Sequence, residues 1–390
     1  MTATPSLYLS ASRERAVIAA FLFGNFLIGT GVMLAPGLLL VLANDLAVSA
    51  QQASLMITVS AIAIGIGAPV LATMTSRIDR RALLCGSLAL YVVGHIAAAF
   101  APNLFWLIVA RTCGLLGAAV FTPQAAATLN LALAPERRAS AITSIFVGWS
   151  IASVAGAPLG AWLGAHIGWR STFLAFALLC VPGVIWVLRV VPKKLVGMRL
   201  SKDAWMAVAK HPALIAILLV TVAYSSGQFT VFAFIAPYVQ EQIGGDATTL
   251  TFALLVVGIA GVAGNIWASR RIASHGAASN LRIALSFMLT GMIAITFTQG
   301  IALAFFAACF VWGLGTFSSN SSQQARLATA APALAGASIS LNTTMMYSGQ
   351  AIGTSIGALT SAQVGIHWLG LVGAAIVAVS LLLSIRAEKQ

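Results

Sequence analysis

Residues 148–173 read GWSIASVAGAPLGAWLGAHIGWRSTF. Gly156, Gly160 and Gly164 stand four residues apart, so on a helix they share one face and make a groove that a neighbouring helix can enter closely. Pro158 lies inside the same stretch, where its missing N–H frees a carbonyl and permits a bend. Between Gly148 and Trp169 there is no Lys, Arg, Asp or Glu. A helix this apolar, with small residues on one side, belongs in lipid, where helices associate by packing rather than by excluding water.

The rest of the chain agrees. Of 390 residues 60% are hydrophobic and 7% charged, with a mean hydropathy of +0.98, which excludes a soluble globular protein, about a quarter charged as a rule. A bilayer core takes roughly 20 apolar residues per helix. Apolar runs between polar punctuation predict twelve spans, at 16–42, 52–74, 82–101, 104–130, 139–166, 171–191, 213–239, 248–268, 282–299, 301–328, 336–362 and 367–385. The first exceeds the ~7–15-residue core of a signal peptide and reads as a retained span. Cys85, Cys113, Cys180 and Cys309 lie in apolar runs without paired spacing, so neither a disulfide nor a metal site follows, and no cofactor is expected.

Charge orients the spans. With both termini on one side, that side holds 18 of the 21 Lys and Arg residues and the other side only Arg170, with Arg111 and Arg326 inside spans. This is a positive-inside pattern, so the net +13 expresses topology and not nucleic-acid binding. It places both termini in the cytoplasm of a bacterial inner membrane. The longest connection, at 192–212, is basic and central, and divides a bundle at 1–191 from a second at 213–390.

The two halves match without a gap when 197 is added to a residue number: Gly67 with Gly264, Pro135 with Pro332, Ile142 with Ile339, Gly156 with Gly353, Gly160 with Gly357, Gly168 with Gly365. Duplicated halves of this kind place a transporter's site at the midplane between repeats. The fold expected is all-α: twelve transmembrane helices in two pseudo-symmetric six-helix bundles.

These residues together resemble the major facilitator superfamily, in particular its twelve-span efflux branch of drug:proton antiporters and sugar exporters. Gly148, Gly156, Pro158, Gly160 and Gly164 are similar to that branch's glycine-proline motif, and Leu107, Arg111 and Gly117 to its arginine motif. The loop ATMTSRIDRRALL resembles the basic gating motif through Arg77, Arg80 and Arg81. It departs from that motif where Ala72 replaces a glycine and Ser76 an acid. Asp79 either substitutes for that acid, facing a helix N-terminus, or is an ordinary turn residue.

The resemblance implies a central cavity lined by spans 1, 4, 7 and 10, with 5 and 11 contributing. At mid-depth of those spans stand Asn25, Trp149, Tyr224, Gln228, Asn320, Tyr347 and Gln350, groups suited to a pocket for a small organic molecule, though each could equally join helices. Arg111, about 10 Å into its span at the helical rise, is expected to face the cavity and contact the substrate, since the arginine motif it resembles implies that place and no acid inside a span is there to pair with it, with snorkelling as the alternative. Arg326 reads as snorkelling. All eight acids fall in tails or loops, which leaves His95 in span 3 and Asp79 as candidates for proton coupling, His95 being open also to a packing role.

The function expected is therefore export of a small neutral or anionic organic solute by a monomeric secondary transporter, through proton antiport, with the lipid bilayer as its other partner. Uniport or import of a metabolite is the alternative. No HExxH or usefully spaced nucleophile and base suggests an enzyme, no GxxxxGK[ST] suggests an ATP-driven pump, and no ring of charges suggests a channel.

Overall fold

The computed structural model describes residues 9–75, 77–193, 195 and 202–387; Ser76 and most of the segment 194–201 lie outside the described residues. The described chain is helical throughout. Its first half comprises α1 (Ala11–Asp45), α2 (Ala50–Met74), α3 (Arg80–Ala99), α4 (Leu104–Ala132) and α5 (Pro135–Val190). After a short α6 (Lys202–Ala209), the second half comprises α7 (Pro212–Phe232), α8 (Ile235–Tyr238) with a π-turn at Val239–Ile243, α9 (Ala247–His275), α10 (Ala277–Thr296), α11 (Ala302–Ala330), α12 (Ala335–Gln363) and α13 (Leu369–Arg386).

Among the described residues ten helices are long and apolar enough to cross a membrane. One of these, α5, is broken at Gly168 (φ 76°, ψ 161°) and supplies two arms, the expected spans 5 and 6. The helix α12, interrupted by the polar run SLNTTMMYSGQ, is not among the ten. It packs on α7 as the first arm of α5 packs on α1, which completes twelve spans. The seventh span was expected to be unbroken to 239; instead the helix ends at Phe232 and restarts at Ile235. Pro237 accounts for the break, since its ring cannot accept the carbonyl four residues earlier against it.

Helix starts are set by short polar side chains at the ends of the spans. Ser49 and Gln52 cap α2 reciprocally, Asp79 caps α3, Asn103 caps α4 and Asp246 caps α9, each giving an otherwise orphaned N–H an acceptor. Asp45, at the end of α1, accepts from Trp169 Nε1 at 2.9 Å and pairs with Arg170, whose other arm reaches the Ala101 carbonyl at 3.2 Å. At the opposite end Glu14 pairs with Arg137 at 3.0 Å. These four acids thus have structural work outside the hydrocarbon.

Packing repeats between the halves. The helix pairs α3 with α4 and α10 with α11 correspond, as do α1 with α5 and α7 with α12. Across the halves, α2 lies against α12 and α5 against α9. The α1–α5 seam is made by glycine: a Cβ at Gly160 would stand 2.6 Å from the Leu34 carbonyl oxygen, and one at Gly156 2.7 Å from Met33 Cβ. In the α7–α12 seam a Cβ at Gly357, its partner in the repeat, would stand 2.6 Å from the Thr230 oxygen. Gly168 and Gly365, also partners, both hold positive φ (76° and 117°) at the joints leading to the last helical arm of each half.

Two substitutions separate these glycine roles. Gly160→Leu must push α1 off α5 and should cost at least the ~1–3 kcal/mol of overpacking, while Leu163→Ile should be tolerated. Gly168→Ala meets nothing within 4 Å, so its cost should be that of the backbone alone, about 1–3 kcal/mol. Thermal unfolding of the purified variants measures both, and a Gly160→Leu protein as stable as Leu163→Ile would show that the groove is not a close contact.

Candidate functional site

A cavity of about 90 Å³ lies between the halves. Its walls come from α1 (Val32, Met33), α5 (Trp149, Ser153, Ala157), α7 (Tyr224, Ser225, Gln228, Phe229, Phe232), α9 (Leu254, Val257, Gly258), α11 (Thr316, Phe317, Asn320) and α12 (Met346, Tyr347, Gln350). Spacings of three and four residues along each helix put these side chains on single faces. The volume is below the ~300–1,000 Å³ of pockets for drug-sized ligands, so a solute of more than a few heavy atoms enters only when the walls move apart.

Six of the eight residues expected from the sequence line this space together: Trp149, Tyr224, Gln228, Asn320, Tyr347 and Gln350. Sequence reasoning missed the α9 wall, which offers only apolar and small groups. It also missed Ser153 and Thr316, each one turn from an expected residue. The lining contains no Lys, Arg, Asp, Glu or His. Three of its hydroxyls donate to backbone carbonyls, Ser153 to Trp149 at 2.9 Å, Ser225 to Met346 at 2.7 Å and Thr316 to Gly313 at 2.8 Å. The Tyr224 hydroxyl, buried, has no hydrogen-bond partner.

Asn25 and Arg111 stand elsewhere. Asn25 is fully buried within the first half, where its amide donates to the Phe21 carbonyl at 2.9 Å and its oxygen accepts from Thr122 at 2.7 Å, tying α4 to α1. Arg111 was expected either to face the cavity or to snorkel, and it does neither. It is 3% exposed, donates from Nη2 to the Gly31 carbonyl at 3.2 Å and lies 5.2 Å from the Phe173 ring centre. Its Nε and Nη1 have no hydrogen-bond partner. Depth along a helix was legible, but its rotation was not, and both side chains turn into seams of the first half. Arg326 likewise does not snorkel: it is buried and bonds Ser384 at Oγ (3.1 Å) and at the carbonyl (3.2 Å), pinning α11 to α13.

His95 packs in the seam with Arg111. Its Nδ1 donates to the Tyr91 carbonyl at 2.8 Å, which leaves Nε2 as an acceptor without a partner, and its ring sits 5.0 Å from Phe176. Asp79 turns its Oδ1 to the Ala82 N–H of its own helix at 3.1 Å. Of the basic loop residues, Arg77 is exposed and Arg81 half-buried, while Arg80 is buried with its guanidinium on Gln124 and its N–H on the Leu195 carbonyl at 2.8 Å. The glycine-proline residues Gly148, Gly156, Pro158, Gly160 and Gly164 run along the first arm of α5, and their neighbours Ser153 and Ala157 reach the cavity.

The model of one family, the Major Facilitator Superfamily, matches residues 21–354. The chain belongs to the major facilitator superfamily. Within the superfamily it is similar to the inner membrane transport protein YdhP of Escherichia coli K12, 29% identical over 374 residues and 96% of each chain. It is also similar to a protein of Mannheimia succiniciproducens named "Probable sugar efflux transporter", 30% identical over 94% of this chain and 92% of that one. Its fold matches the crystal structure of a bacterial homologue of the human lysosomal transporter Spinster, described as inward-facing and unoccupied, with a TM-score of 0.75 at 14% identity over 98% of both chains.

The setting of Arg111 gives a prediction with a sign. No acid shares its seam among the described contacts, so removing the charge with Arg111→Met should be neutral or stabilising, as replacing buried ions by apolar groups often is. Arg111→Lys keeps the charge but loses the planar fork that reaches Gly31, and should lower the melting temperature. The opposite order in detergent-solubilised protein would show that the charge is compensated in the seam.

Proposed function

We propose that this transporter exports a small neutral organic solute by alternating access, with its termini and the 192–212 connection in the cytoplasm of a bacterial inner membrane. The observation that carries the reading is the cavity between the halves, walled by aromatic rings and side-chain amides and lined by no ionised group. Bringing a charged solute into such a site would cost several kcal/mol of desolvation with no counter-charge to offset it. Aromatic faces and amides instead suit a molecule with an apolar ring surface and hydrogen-bonding substituents. Arg111, out of the lining, supplies no attraction for an anion.

Export is supported by the glycine-proline groove of α5, which resembles that of the efflux branch, and by the name of the Mannheimia relative. One chain supplies every wall of the cavity, so a monomer suffices. Proton exchange is assigned to His95 in this reading because its unpartnered Nε2 lies within a span, whereas Asp79, whose Oδ2 is likewise buried and unpartnered, caps α3 at the end of one. Protonation of His95 beside the Arg111 guanidinium would set two cations in one seam between α1, α3, α4 and α5, and their repulsion gives the proton a way to act on α1.

Reconstituted vesicles test this. A pH gradient should accelerate saturable efflux of neutral solutes, not of a permanent cation such as ethidium, and His95→Gln should abolish the acceleration while leaving exchange at equal pH. Gradient-driven ethidium efflux would refute the neutral-solute reading. For orientation, Lys210→Cys and Glu241→Cys, placed in a chain freed of its four native cysteines, should react with an impermeant thiol reagent from opposite sides of the membrane.

A further inference from the structure

Behind the cavity, four polar side chains of α7, α11 and α12 form a chain of hydrogen bonds that all run in one direction. Gln323 Nε2 donates to Thr221 Oγ1 at 2.9 Å, Thr221 Oγ1 donates to Asn342 Oδ1 at 2.6 Å, and Asn342 Nδ2 donates to Asn320 Oδ1 at 3.1 Å. Gln323 and Thr221 are fully buried and Asn342 is 1% exposed, so none of the three lines the cavity, and only Asn320 does. Gln323 Nε2 also donates to the Ile217 carbonyl at 2.7 Å, which fixes its NH₂ on the Thr221 side. With the Asn342 oxygen taking the Thr221 proton, the Asn342 NH₂ faces the Asn320 oxygen, and flipping Asn320 alone would set one NH₂ against another. The Asn320 oxygen is thereby spent, and its NH₂ is left for the cavity.

We infer that Thr221 and Asn342 are positioning residues that hold Asn320 with its amide hydrogens toward the cavity, so that the site takes an acceptor oxygen of a neutral solute, a hydroxyl, ether or carbonyl. The inference rests on the cavity being the solute site. The Tyr224 hydroxyl, one helical turn from Thr221, buried and without a partner, is a second donor in the same wall. Ser153, Ser225 and Thr316 have already committed their protons to carbonyls and can only accept. Asn320 and Tyr224 are therefore the donors that this network and this burial set toward a solute, beside the amides of Gln228 and Gln350, the Trp149 indole and the Tyr347 hydroxyl elsewhere in the lining. Successive bonds in a buried chain polarise one another, so the last N–H is a stronger donor than an isolated amide.

The test combines a readout without solute and one with it. In full-length protein with nitrogen-15 asparagine, the Asn320 side-chain resonance is identified by its loss in Asn320→Asp. Thr221→Val, which keeps the shape and removes the hydroxyl, should move the Asn320 and Asn342 resonances and leave that of Asn25, in the other half, in place. Quenching of tryptophan fluorescence by p-nitrophenyl β-glucoside then reads the site. Thr221→Val should weaken its binding about three- to tenfold, Thr221→Ser should restore it, and nitrobenzene, which lacks the sugar oxygens, should bind all three proteins alike. An Asn320 resonance unmoved by Thr221→Val, or glucoside binding undiminished in Asn320→Asp, would overturn the inference. Failure of the wild-type protein to bind the glucoside would instead count against the solute reading, and the resonance comparison would still decide the relay.

Discussion

Backbone-to-backbone approach of α1 on α5 and of α7 on α12 is the contact on which the rest of the molecule depends. In lipid no hydrophobic gain brings helices together, so dispersion between closely fitted surfaces must do it, and glycine provides the closest fit. Because Gly156 and Gly160 have repeat partners in Gly353 and Gly357, both halves make the same seam. The seam on α5 then fixes where Trp149, Ser153 and Ala157 face, and the seam on α12 does the same for Met346, Tyr347 and Gln350. The cavity is what remains between two such seams once α9 and α11 close its sides.

The same economy governs charge. Asp79 and Asp246 cap helices, Asp45 and Glu14 latch helix ends, and the cations inside the spans, Arg111 and Arg326, are held by carbonyls, a hydroxyl and a ring face. Backbone carbonyls are the only acceptors plentiful in an apolar bundle, and a guanidinium with several donors can reach them where an ammonium could not. The interior polarity is neutral and hydrogen-bonded, and the side-chain relay of the second half replaces the Asn25–Thr122 tie of the first.

Much of the fold was legible in the sequence because its determinants are one-dimensional: hydropathy, the side on which Lys and Arg collect, and a repeat without gaps. Gly168 and Gly365 stood out as a matched pair for a reason the structure supplies, a backbone conformation that side chains resist. Depth along each helix follows from residue number at 1.5 Å per residue, and it led to Trp149, Tyr224, Gln228, Asn320, Tyr347 and Gln350. Rotation about the helix axis does not follow so simply. When a span is apolar on all sides no moment marks its inward face, which is why Asn25, Arg111 and Arg326 were misplaced and the apolar wall of α9 went unseen. The break before Ile235 was readable from Pro237 but masked by an unbroken run of hydrophobic residues.

The inward-bonded hydroxyls of Ser153, Ser225 and Thr316 have a bearing on how the site is wetted. Water beside these three oxygens finds lone pairs but no free proton, so it is held by fewer bonds there than at Tyr224 or Asn320, and an entering solute displaces it at small enthalpic loss. Those parts of the wall therefore favour the apolar face of a solute, since displacing loosely held water adds to affinity.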